Sequence, residues 1–139
     1  MTDYDPDNIF ARMIRGEIAS HKVHEDDEVL IIMDIFPQSR GHCLVIPKTG
    51  SRNLLDASPE ALQVAIAWTQ KVARAAHAAT GADGIRVAQF NEAPAGQTVF
   101  HLHVHVIPVY ADVALYGHQS VRADNAELAD LARRIAAQL

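Results

Sequence analysis

The apolar positions of this chain alternate between helical and extended periods. From Asp7 to Arg15, the residues Ile9, Phe10, Met13 and Ile14 recur at helical spacing, and Gly16 follows as a stop, which predicts a short helix. Val29 to Ile35 is an almost continuous β-branched and aliphatic run that ends at Phe36-Pro37, the pattern of a buried strand, with Lys22 to Glu25 as a candidate partner. Gly41 to Pro47 is a further strand. Pro59 to Thr80 carries the strongest helix signal: Ser58 as cap, Pro at the first helical position and Gly81 at the end. Leu62, Ile66, Thr69, Val72, Ala73 and Ala76 form one stripe on it. Val64, Trp68 and Ala75 lie off that stripe, on a side that either meets another subunit or widens the core face with Trp68 at its rim.

Gly84 to Phe90 and Val99 to Val109 are strand candidates, separated by a turn region over Asn91–Gly96. Asp124 stands three residues before Glu127, a capping-box pattern, and Leu128, Leu131, Ile135 and Leu139 then mark a terminal amphipathic helix. The order helix, strands, helix, strands, helix predicts an α+β domain: an antiparallel sheet with helices on one side.

Length and composition narrow the function classes. The 139 residues suit one domain, and 49% hydrophobic with 21% charged residues is enough to form a core without disulfides. The formal charge of −5, from 12 basic and 17 acidic residues with no like-charged run, argues against a nucleic-acid groove. Cys43, the single cysteine, sits in an aliphatic stretch and is expected to be a small buried hydrophobe. The acidic start lacks the apolar segment of a secretory signal, and no run approaches a membrane span, so a cytoplasmic location and no membrane partner are expected.

The unusual feature is eight histidines, three of them in His101-Leu102-His103-Val104-His105-Val106-Ile107-Pro108. On a strand, Leu102, Val104 and Val106 point to one face and the three imidazoles to the other, neighbours about 7 Å apart. Each ring carries two polar nitrogens that need partners, so apolar packing does not explain three on one face. Two chemistries fit this pattern: a metal site, or a nucleophilic histidine flanked by histidines that orient it and move protons.

The motif resembles the His-φ-His-φ-His-φ-φ signature (φ apolar) of the histidine triad (HIT) family, and the resemblance extends over about residues 8 to 109. Asn8-Ile9-Phe10, Gly16-Glu17-Ile18, Glu25-Asp26-Asp27, Asp34-Ile35-Phe36-Pro37, Gly41-His42, Leu44-Val45-Ile46-Pro47-Lys48 and Ala95-Gly96-Gln97-Thr98-Val99-Phe100 match its Hint-like branch in order and spacing. That resemblance implies a single HIT domain over 1–139, with a variable tail from about 110. It also implies a five-stranded antiparallel sheet with a long central helix, and a homodimer in which two sheets join. The implied reaction is histidine attack on the α-phosphorus of a purine nucleotide, such as an AMP phosphoramidate, followed by hydrolysis of the nucleotidyl-histidine. No cofactor is implied.

By the same resemblance, His103 is the nucleophile; a neutral imidazole, with its ordinary pKa of about 6.5, serves well at neutral pH. His105 touches the phosphate and handles the leaving-group proton, His101 is more structural, and His42 is a fourth histidine beside the triad. Gln97, Asn91 and Thr98 correspond to phosphate contacts, Gln97 sharing the histidines' parity. Asp34 corresponds to the ribose-binding carboxylate, or is simply a turn residue before Pro37. Ile9, Phe10, Met13 and Ile35 correspond to the apolar base pocket. Some relatives bind structural zinc through a Cys-x-x-Cys and histidines; here the matching positions are Asn8, Ala11 and Gly50, so no zinc is expected. His21, His24, His77 and His118 are expected at surfaces. Three other activities compete: a Fhit-like dinucleoside polyphosphate hydrolase, a nucleotide-binding interaction protein with little catalysis, and a three-histidine metalloenzyme.

Overall fold

The computed structural model describes residues 2–117 and 121–139, so His118 lies outside the described residues. Helix α1 covers Ile9–Ile14, strands β1 Lys22–Glu25, β2 Val29–Met33 and β3 Cys43–Pro47, helix α2 Pro59–Thr80, strands β4 Gly84–Ala88 and β5 Val104–Val109, and helix α3 Asn125–Ala136. The strands form one antiparallel sheet in the order β1-β2-β3-β5-β4.

Local chemistry explains the ends of these elements. Asn8 caps α1 by accepting the Ala11 N–H at 2.9 Å, and Ser58 caps α2 by accepting the Ala61 N–H at 3.1 Å. Gly81 ends α2 at φ +69°, a left-handed conformation open to glycine at little cost. Asp124 accepts the Glu127 N–H at 3.2 Å and starts α3. Strand β2 stops at Met33, short of the expected Ile35, because the Asp34 carboxylate accepts the Phe36 N–H at 2.8 Å and turns the chain. Strand β5 starts at Val104 rather than Val99. Upstream, the Leu102 N–H donates to the Ser51 carbonyl at 2.9 Å, which ties that segment to a loop instead of a neighbouring strand.

Helices cover both faces of the sheet, not one as the element order predicts. Val29, Ile31 and Met33 of β2 point into a core shared with α2 and α3, including Val72, Ala76, Leu128, Leu131 and Ile135. The alternate residues, Leu30 and Ile32, join Leu44 and Ile46 of β3 under Phe10 and Met13 of α1. Strand β2 is thus buried on both faces, which its unbroken apolar run requires. Each fully buried Leu or Ile contributes about 1.5–3 kcal/mol of transfer free energy.

The buried face of α2 is rotated from the expected stripe. Ala61, Ala65, Thr69, Val72, Ala75 and Ala76 are buried, whereas Ile66 is 64% exposed. Val64, Trp68 and Ala75, expected on a second side, belong to the core or pack against it. Small alanines let the helix lie close to the sheet, which favours this face over the bulkier one. Trp68 sits at the rim, stacked on His24 with ring centroids 4.3 Å apart. Leu139, beyond the last turn of α3, is exposed rather than buried. Among the described residues, no helix is long and apolar enough to cross a membrane.

Candidate active site

The sheet face that carries α1 also carries the chemistry. In register, Leu44 of β3 pairs with His105 of β5, and Ala88 of β4 pairs with His105 from the other side, so His105 continues the row Ile32–Leu44. His103, one step upstream, lies edge-on to Phe10 at 4.9 Å and to His105 at 5.0 Å between ring centroids. All three triad rings are buried.

Fixed main-chain partners decide the tautomers. His103 Nδ1 lies 2.6 Å from the His101 carbonyl, which can only accept, so Nδ1 carries the proton and the lone pair of the neutral ring is at Nε2. His101 Nε2 donates in the same way to the Pro47 carbonyl at 2.8 Å. Burial holds the His101 pKa below the ordinary imidazole range, against a smaller opposing effect of that bond. The Gln38 N–H donates to His42 Nδ1 at 3.0 Å, so the His42 proton is on Nε2, 2.9 Å from His105 Nδ1 and 3.5 Å from an Asp34 carboxylate oxygen. His105 Nδ1 therefore accepts, and the proton of its neutral ring is on Nε2. The two adjacent rings are held in complementary states: His103 with a nucleophilic Nε2, His105 with an Nε2–H that can donate.

A cavity of about 580 Å³ opens over these rings. Ile9, Phe10, Met13 and Ile35 are among its apolar lining, and Asp34, Thr98, His103 and His105 also form its wall. Asp34 forms the expected turn toward Phe36, and it also lines the cavity. A larger cavity of about 760 Å³, between the 37–41 loop, the 110–116 segment and α3, has His42 at its wall but neither His103 nor His105. The smaller cavity is the one with chemistry.

Two expected phosphate contacts lie elsewhere. Gln97 is buried, and its carboxamide donates to the carbonyls of Arg52 (2.7 Å) and Val99 (3.1 Å) and accepts from the Glu92 N–H (2.8 Å) and Asn53 Nδ2 (3.1 Å). Asn91 forms a reciprocal amide pair with Gln89, at 2.9 Å in each direction, and accepts the Leu54 N–H at 3.0 Å. The parity argument fails at Gln97 because no strand forms there; position 97 lies before β5.

Sequence reasoning missed the partners of this loop. Arg52 binds the Glu92 carboxylate with two bonds, at 2.8 and 3.0 Å, and lies over the Phe100 ring at 4.1 Å. The bonds to Arg52 hold the Glu92 carboxyl below the usual carboxylate range, and Glu92 adopts φ +76°, a strained value outside glycine. His21 is partly exposed, as expected of a surface residue, but it also lines the cavity with Ser20, Arg122 and Asn125, the last at the start of α3 and 3.3 Å from its Nε2. His24 is half-buried against Trp68, and His77 is exposed as expected. Burial, aided by Asp34, pushes the Cys43 thiol up to about 12, so it is inert.

Asp34, His42 and His105 each offer one ligand atom within 4.8 Å of the others, a spacing open to a divalent ion. The positions that match structural zinc ligands in some relatives do not fit that metal. The carboxamide oxygen of Asn8 is engaged in the α1 cap, Ala11 has no donor, and Gly50 lies against the Tyr4 ring.

The HIT domain family matches this chain over residues 15–112. The fold is similar to the crystal structure of a Hit-like protein involved in cell-cycle regulation from Bartonella henselae, with a TM-score of 0.95 and 50% identity over 99% of this chain and 100% of the other. An uncharacterized HIT-like protein of Mycobacterium tuberculosis is 44% identical over 100 residues, 72% of this chain and 69% of its own length. The adenylylsulfatase HINT3 of Arabidopsis thaliana is 35% identical over 88% of this chain, which spans 62% of that relative.

Proposed function

Because this chain belongs to the HIT domain family, we propose that it hydrolyses phosphoramidates of a purine nucleoside monophosphate through a nucleotidyl intermediate on His103. One observation carries the reading: the 2.6 Å bond from His103 Nδ1 to the His101 carbonyl, which directs the lone pair to Nε2 in a ring at the cavity wall. In the first step Nε2 attacks the α-phosphorus, the P–N bond to the amine breaks, and the amine takes the proton from His105 Nε2. In the second step a water oxygen attacks phosphorus, its proton passes to His105, and the P–Nε2 bond breaks to release the monophosphate. The apolar lining of the cavity suits a base, and the Asp34 carboxylate suits the ribose hydroxyls. Thr98, exposed at the same wall, suits a phosphate oxygen.

The test is incubation with an adenosine phosphoramidate, with AMP release followed over time and quenched protein analysed by mass spectrometry. A nucleotide adduct on His103, and a loss of at least about 10³-fold in His103→Ala, are expected. Full activity in that variant would overturn the assignment. The adenylylsulfatase relative favours a second leaving group, sulfate, so adenylyl sulfate belongs in the same panel beside a dinucleoside polyphosphate. We also propose a homodimer. Exposed Ile66 on α2 and Val87 on the edge strand β4 are the apolar groups it would cover. Analytical ultracentrifugation of the wild type and Ile66→Glu tests this, with a monomeric wild type counting against it.

A further inference from the structure

We infer that Tyr4 is a positioning residue for the nucleophile, acting through His101; the inference rests on His103 being that nucleophile. The Tyr4 hydroxyl lies 2.8 Å from His101 Nδ1. The opposite nitrogen, Nε2, already donates to the Pro47 carbonyl at 2.8 Å, so Nδ1 is the acceptor and Tyr4 the donor. The direction is reinforced from behind, since Asn8 Nδ2 donates to the Tyr4 oxygen at 3.1 Å and is itself held by the Asp5 carbonyl at 2.8 Å. The His101 ring is therefore clamped at both nitrogens, between the N-terminal segment and the end of β3. Its own main-chain oxygen is the group that fixes the tautomer of His103.

The seat of Tyr4 is specific. Its ring meets His101 edge-on at 5.6 Å and passes over Gly50, where a Cβ would come within 2.8 Å of the ring. Burial raises the Tyr4 pKa, so the hydroxyl stays a donor at neutral pH. Tyr4 is not among the residues that line the cavity, and it precedes residue 15, where the family match begins. Its effect must therefore appear in the chemical step and not in substrate binding.

The experiment uses the full chain with Tyr4→Phe, which keeps the ring over Gly50 and removes only the hydroxyl. The expected result is a three- to tenfold fall in kcat on an adenosine phosphoramidate, roughly the equivalent of one neutral hydrogen bond, with KM unchanged. The proton signal of His103 Nδ1–H should shift or broaden in the same variant. Gly50→Ala, which displaces the ring instead, should give a similar loss, and the double variant should be no worse than the weaker single one. An unchanged kcat with an unmoved signal, or a loss confined to KM, would overturn the inference. If the wild type turns over no nucleotide, the functional reading fails, and the His103 proton signal still tests the clamp by itself.

Discussion

His42 Nε2 and His105 Nδ1 lie 2.9 Å apart, and the Gln38 N–H on the far side of the His42 ring makes His42 the donor of that bond. His42 thereby keeps the His105 proton on the nitrogen that can reach a leaving group. His42→Ala should lower kcat by about 10²-fold on a substrate with an alkylamine leaving group, which must be protonated. An aryl ester whose phenolate leaves unprotonated should lose much less. Steady-state rates on the two substrates check this, and equal losses would remove His42 from the proton path.

Gln97 makes three hydrogen bonds to the loops around Arg52 and Glu92 and a fourth to the Val99 carbonyl. Gln97→Ala leaves the part-buried Glu92 N–H and Arg52 carbonyl without that partner, at a cost of about 1 kcal/mol for each bond lost. The expected outcome is a clear fall in Tm, with a kcat loss that follows from loosening of the 91–97 loop. A direct phosphate contact would give the opposite pattern, a kinetic loss at unchanged Tm.

The features legible in the sequence share a physical basis: they are set by neighbours in the chain. Ser58, Pro59 and Gly81 fix the ends of α2 through bonds within one turn, and the alternation from His101 to His105 marks the histidine-rich segment by itself. The missed features depend on distant pairings. Arg52 and Glu92 are 40 residues apart, Gln97 and Arg52 are 45 apart, and His21 reaches the cavity rim beside Asn125, 104 residues on. Parity also misleads wherever backbone bonding departs from a strand, as at Gln97. The placement of α1 on the second face was implicit in the unbroken apolar run of β2, which leaves no side for solvent.

Asp34 accepts the Phe36 N–H through one carboxylate oxygen while its side chain lies at the cavity wall. Asp34→Asn keeps an oxygen for the turn and removes the charge offered to a ribose. KM for the ribonucleotide substrate should rise tenfold or more, about what loss of a charge-assisted hydrogen bond costs, with little change in Tm. A 2′,3′-dideoxy substrate should bind wild type and variant alike. If both substrates lose affinity equally, Asp34 is a turn residue only.

His101 ties stability to pH. Burial lowers its pKa in the folded protein below the ordinary value of about 6.5 that the unfolded chain would show. Between those two values the unfolded state binds more protons, so stability rises with pH across that window. The full contribution is present above about pH 6.5 and is lost as the pH falls toward the lowered value. Urea unfolding followed by the fluorescence of the single tryptophan, Trp68, should show a midpoint that drops as the pH falls through this range. His101→Gln should flatten the drop, because glutamine does not titrate and offers donor and acceptor atoms for the Pro47 carbonyl and the Tyr4 hydroxyl. An equally steep drop in that variant would assign the pH dependence to another group.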